Sequence, residues 1–460
     1  MILLGPALTT STLTLTQTIK GFAPLAIASV LLATPYSVAW AGIGLENQIA
    51  KARSLYEQDT GAEGARPLSI NPFIGAEPRG GYIEAYIGPD SRADRLNLNT
   101  NQIGTGLRLS ATESFKVGDQ NFRAKLTLGN KSDPDSAEVL TGTSLAWQFD
   151  PNAELYFGNE QRHWGPGWVG SLIMDQAAPA FWAAGIRKNQ TTRSETPWLS
   201  WAGPWAADVF FGGPLEGHIK PADPYLVGMR LLLQPIRNLE VGLSRVLQWG
   251  GTGRDESLSS LWRGLKGDDN TQEGGLTSKQ QPGNQLAGWD VRYSIPFDTG
   301  KGVAFYLQYI GEDEGGNLPS KNFALAGAEL AENKGPMPWR SFFEYTKTKA
   351  GPPDVAYRHS VYEQGYTNRN FSLGHPLGGD VELFSLGLVA SAGKSAVVVI
   401  LHSGETLKGS QFYAPYGDIS GAEVGLMFRD RNTETGVSLT QFKAPGVSET
   451  GGQIFIRWHR

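Results

Sequence analysis

The feature that most constrains this chain is an alternation of apolar and polar residues in which the polar side carries ionised groups in mid-segment. From Asn121 to Leu128, the residues Phe122, Ala124, Leu126 and Leu128 share one face, and Asn121, Arg123, Lys125 and Thr127 share the other. Between 287 and 295, Ala287, Trp289, Val291, Tyr293 and Ile295 oppose Gly288, Asp290, Arg292 and Ser294. Near the end, Ala422, Val424, Leu426 and Phe428 alternate with Glu423, Gly425, Met427 and Arg429. A period of two is a strand with unlike faces. Soluble sandwiches also alternate, but their inner faces seldom oppose so many charges at strand centres. Hydrocarbon outside a closed sheet, with water or paired charges inside, accommodates both faces.

Eighteen such segments are expected, near 80–88, 104–115, 121–129, 142–149, 153–160, 195–201, 205–213, 226–234, 239–249, 286–296, 302–310, 322–331, 341–348, 381–390, 396–403, 421–429, 436–443 and 453–460. The number is even, as single-chain bacterial barrels require. Short connections carry turn residues: Asp150-Pro151-Asn152, Gly203-Pro204, Pro235 to Asn238, Phe297 to Lys301, and Ala392 to Lys394. Long polar loops lie between them, at 161–194, 250–285, 349–380 and 404–420. Counting back from a C-terminal strand that ends in the periplasm puts every long loop outside the cell, the arrangement of outer-membrane barrels. The fold expected is therefore an all-β, antiparallel transmembrane barrel over residues 80–460.

The remainder reads as two short pieces. Residues 1–41 have one base, Lys20, and an apolar run from Phe22 to Ala33, then Ala39-Trp40-Ala41, the small-x-small pattern before a cleavage site. This is read as a signal peptide. The run is too short, and too broken by Pro24 and Pro35, for a spanning helix. Residues 42–79 are read as a periplasmic helical segment, because Leu45, Ile49, Ala52 and Leu55 have helical spacing. The net charge of −5 argues against nucleic acid, and the absence of cysteine removes disulfides and thiolate zinc sites.

Candidate residues fall into three sets. The loop 161–194 is too apolar for a solvated tip; Trp164 and Trp168, with Gly165-Pro166-Gly167 between them and Arg187 beyond, are expected in the lumen or its mouth. A sugar platform is compatible with that placement, since tryptophan faces stack on pyranose rings. Arg230, Glu240, Asp290 and Arg292 are expected to face inward, either pairing across the lumen or lining a permeation path; Arg245 falls on the outward face, as a bulge or near headgroups. In the outer loops, Trp262, Arg263, Tyr357, Arg358, Tyr362, Tyr366 and Arg369 are candidate contacts for an acidic polysaccharide. Rings stack and guanidinium pairs with carboxylates; contact with lipopolysaccharide is the competing reading. A surface acyl hydrolase would need a serine activated by histidine. The neighbours His359 and Ser360 point to opposite faces if extended, and no third partner is evident. No metal motif and no cofactor are expected.

Several stretches also carry a family resemblance. The run from Arg162 to Lys188 (RHWGPGWVGSLIMDQAAPAFWAAGIRK) and that from Gly228 to Gly251 (GMRLLLQPIRNLEVGLSRVLQWGG) resemble the capsule assembly protein Wzi family. The WDVRYSIPF strand at Asp290, Tyr309 to Asp313, Phe343 to Thr346, and Gly374-His375 add to it, in family order over most of 80–460. The resemblance implies an outer-membrane barrel of the same strand number with a small periplasmic helical part. It also implies a lectin-like role, holding capsular or exopolysaccharide at the cell surface without enzymatic activity. Outer-membrane lipids and lipopolysaccharide would surround a monomer. A porin or substrate channel is the alternative from a different class.

Overall fold

The structure, a computed structural model, describes residues 82–87, 106–131 and 140–459 except 195, 267–282, 298–299, 316–317, 352–355 and 414, with scattered positions between 48 and 76. The expected signal peptide, 1–41, lies outside the described residues. Eighteen strands form the wall: β1 Tyr82–Ile87, β2 Gly106–Val117, β3 Gln120–Lys131, β4 Ser144–Asp150, β5 Ala153–Asn159, β6 Trp182–Arg193, β7 Pro204–Gly212, β8 Tyr225–Ile236 and β9 Leu239–Trp249, followed by β10 Gly283–Pro296, β11 Lys301–Gly315, β12 Leu318–Glu332, β13 Trp339–Lys347, β14 Val381–Ala392, β15 Ser395–Thr406, β16 Gly417–Asp430, β17 Thr433–Ala444 and β18 Val447–His459. Each pairs antiparallel with its chain neighbours, and β18 closes on β1 with His459 opposite Tyr82 and Ile454 opposite Ile87. Closure leaves no strand edge, the condition for crossing hydrocarbon with strands.

Burial is inverted relative to a soluble protein. On β10, Trp289, Tyr293 and Ile295 are exposed while Asp290, Arg292 and Ser294 are buried. The same holds on β3, where Leu126 and Leu128 are exposed and Lys125 and Thr127 enclosed, and on β16, where Val424, Leu426 and Phe428 are exposed. Each large apolar side chain left in water forgoes about 1.5–3 kcal/mol. A belt of them around the whole wall therefore requires lipid. Left-handed residues make the tight turns at one end: Asn238 between β8 and β9 (φ 65°) and Gly393 between β14 and β15 (φ 57°). The connections 160–181, 213–224, 348–380 and 407–416 leave the opposite end, while the ten residues 194–203 between β6 and β7 lie at the turn end.

One expected strand is misplaced. Residues 196–201 are not a strand; Pro197–Ala202 is a 3-10 helix, entered by extended Thr196 with Pro197 in its first turn. Proline's fixed φ suits a first helical turn and supplies no ladder donor. The wall strand is β6, inside the stretch read as loop. Arg187 accordingly sits on a strand, opposite Glu154 of β5.

Candidate functional site

The connection between β5 and β6 does not project outward but runs down the lumen. Trp164, Trp168, Leu172, Ile173 and Met174 have essentially no exposed surface. The wall holds this plug through its backbone. Gln308 of β11 donates to the Trp164 carbonyl at 2.7 Å and accepts from the Leu172 amide at 2.8 Å. Glu344 of β13 accepts from the amides of Trp168 (2.6 Å) and Val169 (3.1 Å) and from the Tyr306 hydroxyl (2.9 Å). The Trp168 indole donates to Glu329 of β12 at 3.0 Å, and its ring stacks on Phe342 at 4.9 Å. Charge-assisted bonds of this kind are the strong ones. The glycines of the loop allow the close approach: a Cβ on Gly167 would stand 2.1 Å from the Gly170 carbonyl oxygen.

Glu329 lies near the turn end of β12, so the plug reaches the far mouth. There it meets the N-terminal segment. Residues 48, 49, 51, 52 and 55 are helical, with Ile49 and Leu55 buried. Gln48 donates to the Trp168 carbonyl at 2.8 Å, Lys51 donates to those of Pro166 (2.7 Å) and Gly167 (2.5 Å), and the Lys51 ammonium lies 4.7 Å from the Trp168 ring centre. Leu45 lies outside the described residues.

Around the plug the lumen charges are paired. Arg230 of β8 donates to both oxygens of Asp290, at 2.7 and 3.0 Å, and to the Ser244 hydroxyl at 2.6 Å. Arg292 and Arg340 share Glu329, at 2.8 and 2.5 Å. Arg187 contacts both Glu154 and Glu160 at 3.1 Å. Glu240 is buried across the ladder from Arg292. Breaking one partner from such buried pairs typically costs about 3–5 kcal/mol, because the other charge is left uncompensated.

The expected sugar-contact residues divide by location. Tyr357, Tyr362 and Tyr366 are fully enclosed and offer no ring face to the exterior. They bind the loop 348–380 to the plug and its neighbour: the Tyr357 hydroxyl donates to the Leu172 carbonyl and that of Tyr366 to Ile173, both at 2.8 Å, and Tyr362 reaches the Gly250 carbonyl at 3.3 Å. Burial pushes the Tyr362 hydroxyl up to about 12 and those of Tyr357 and Tyr366 well above the usual phenol range, so all three remain donors. Arg358 is exposed and donates to the Gly409 and Ser410 carbonyls at 2.6 and 3.1 Å; Arg369 pairs with Glu216. Trp262 and Arg263 stand apart on the helix Leu258–Lys266, which folds over the outside of the wall rather than across the mouth. The ladder runs through Arg245 without a bulge, and its guanidinium donates to the Gly264 carbonyl beneath this helix at 3.2 Å and to the Gln285 side chain at 3.1 Å. Asp268 and Asp269, in the same loop, lie outside the described residues.

One lumen cluster escaped the sequence reading. His402 of β15 faces the Ser385 hydroxyl through Nδ1 at 2.9 Å and Glu423 through Nε2 at 3.0 Å. Three strands supply it, so no spacing along the chain could announce it. The row borders a cavity of about 20 Å3 with His375, Leu377, Leu383 and Phe442. That volume suits one water molecule, far below the several hundred Å3 of a small-molecule site. His375 is enclosed and its ring is pushed down to about 4 by burial.

A family model described as capsule assembly protein Wzi matches residues 106–409. The chain belongs to that family. A Klebsiella pneumoniae protein known as an uncharacterized 55.8 kDa protein in the cps region is 36% identical over 343 residues, covering 74% of this chain and 67% of the relative. An Escherichia coli structure, described as Wzi, an outer-membrane carbohydrate-binding β-barrel involved in group 1 capsule assembly, has a TM-score of 0.71 to this one. The identity there is 23%, over 92% of this chain and 98% of that one, which speaks to the fold. The barrel of this Wzi-family member lies in the outer membrane with its long loops outside the cell.

Proposed function

We propose that the protein is a non-enzymatic, lectin-like anchor that holds capsular polysaccharide at the outer face of the cell, acting as a monomer. The observation that carries this is the plug. An outer loop fills the lumen, and the loops above are bonded to it through Tyr357, Tyr366 and Asn368, the last donating to the Pro179 carbonyl at 2.8 Å. A lumen so filled favours a fixed platform over a conduit. The carbohydrate binding described for the Escherichia coli Wzi supports the choice of ligand. On the platform we assign contact to Arg358, Arg369 and the exposed Tyr416, where guanidinium meets uronate and the ring meets a sugar face. Many weak contacts along a repeating polymer add by avidity.

Deletion of the gene tests the reading. Polymer should appear in the medium with total synthesis unchanged, and a plasmid copy should return it to the cells. Polymer that remains cell-bound in the deletion strain contradicts the anchor.

A further inference from the structure

The helix Leu258–Lys266 sits where a soluble loop has no reason to be. Along β8 and β9 the outward side chains include Leu243, 46% exposed to lipid, yet farther up the same face Val227, Leu247 and Trp249 are only 8, 1 and 5% exposed. Leu261 and Leu265 cover them. The Trp249 indole donates to the Ser260 hydroxyl at 3.3 Å, and Arg245 donates to the carbonyl of buried Gly264 at 3.2 Å. One helical face is thus fixed to the outer wall at the extracellular end. Immediately beside it the rings of Phe211, Tyr225 and Trp249 pack together where β7, β8 and β9 end, the aromatic belt expected where strands leave hydrocarbon for headgroups.

The opposite face looks away from the protein. Leu258 is 82% and Trp262 60% exposed. The helix has no acidic residue, and its last turn carries Arg263 and Lys266. The Lys266 ammonium lies 5.4 Å from the Trp262 ring centre, and Arg263 makes only a 3.5 Å contact with Asp255. An exposed tryptophan and leucine beside cations, on a helix packed against the outer wall, is the composition of an interfacial helix that binds anionic lipid. Cations in a last turn also complement the helix dipole. That role alone would not call for an apolar outward face at headgroup height.

We infer that this helix is a lipid clasp: Trp262 and Leu258 enter the outer leaflet, and Arg263 and Lys266 hold phosphates of lipopolysaccharide against the wall. The polymer-holding face at the mouth and the lipid-holding face on the wall are then separate surfaces. The test uses the full barrel in detergent, titrated with bisphosphorylated lipid A and with the same lipid A lacking both phosphates. The parent should prefer the phosphorylated form. Arg263→Gln with Lys266→Gln should weaken that form about thirtyfold, two cations at the usual surface-lipid value, and remove the preference. Arg263→Lys with Lys266→Arg should restore it, which a defect of folding would not. Equal affinity of the Gln variant and the parent overturns the inference. So does a parent blind to the phosphates, or full displacement by millimolar inorganic phosphate, since a free-anion site is not a lipid clasp.

Discussion

Two outer loops of this barrel use the same residue for opposite ends. The loop after β5 takes Trp164 and Trp168 down the lumen, where they are 0 and 1% exposed; the loop after β9 lays Trp262 on the outer wall, 60% exposed. Neither outcome follows from hydrophobicity, which is equal in the two. The difference lies in what each backbone meets. Backbone amides and carbonyls of the first loop are answered by Glu344, Gln308 and Lys51, which offsets the cost of taking them out of water. The second satisfies its own backbone as a helix, with the Ser257 hydroxyl accepting from the Ser260 amide at 3.2 Å at its start. It therefore needs only an apolar ledge, provided by Val227, Leu247 and Trp249.

This contrast makes the plug sensitive and the wall helix tolerant. Glu344→Ala should act most strongly. It strands the amides of Trp168 and Val169 and the Tyr306 hydroxyl, at about 1–3 kcal/mol per buried group. Protease cleavage within 160–181 should rise by about a hundredfold, while the wall strands keep their exchange protection. Unchanged cleavage would mean the plug is held by shape and not by Glu344.

Acid should come next. The His375 ring titrates at about 4 in the folded protein against 6.5 when free. Between those values the unfolded loop binds more protons, so its stability falls as pH drops from 6.5 to 4, by roughly 3 kcal/mol in full. His375→Asn should flatten this dependence in a denaturant series; an equally steep variant assigns it to other groups. Trp262→Ala closes the series. Its ring is mostly exposed, so the cost in stability should stay within about 0.5–1 kcal/mol, chiefly the Lys266 contact. A loss as large as that of Glu344→Ala would erase the distinction between the loops.

Legibility followed the same physics. Strands such as β3, β10 and β16 were readable because lipid on one side and paired charge on the other leave an unbroken period of two. Asp290 and Arg230 could be placed inward on that ground. The position of β6 was not readable: its second half, KNQTTR, looks like a loop, and the apolar WLSW that follows the strand forms a 3-10 helix behind Pro197. The plug was legible from its tryptophans and its Gly-Pro-Gly. The enclosed tyrosines were not. A tyrosine answering a carbonyl and one facing a sugar read alike in sequence; only the descent of the neighbouring loop decides between them. The row of Ser385, His402 and Glu423 exists only once three strands are in register.

The central claim is that an outer loop closes this barrel along its length. Single-molecule current across a planar bilayer measures that directly. The purified barrel should pass no steady current of porin size at neutral pH, and a variant with residues 165–174 replaced by a short glycine-serine link should pass one. A steady porin-like conductance from the unaltered protein would contradict the account.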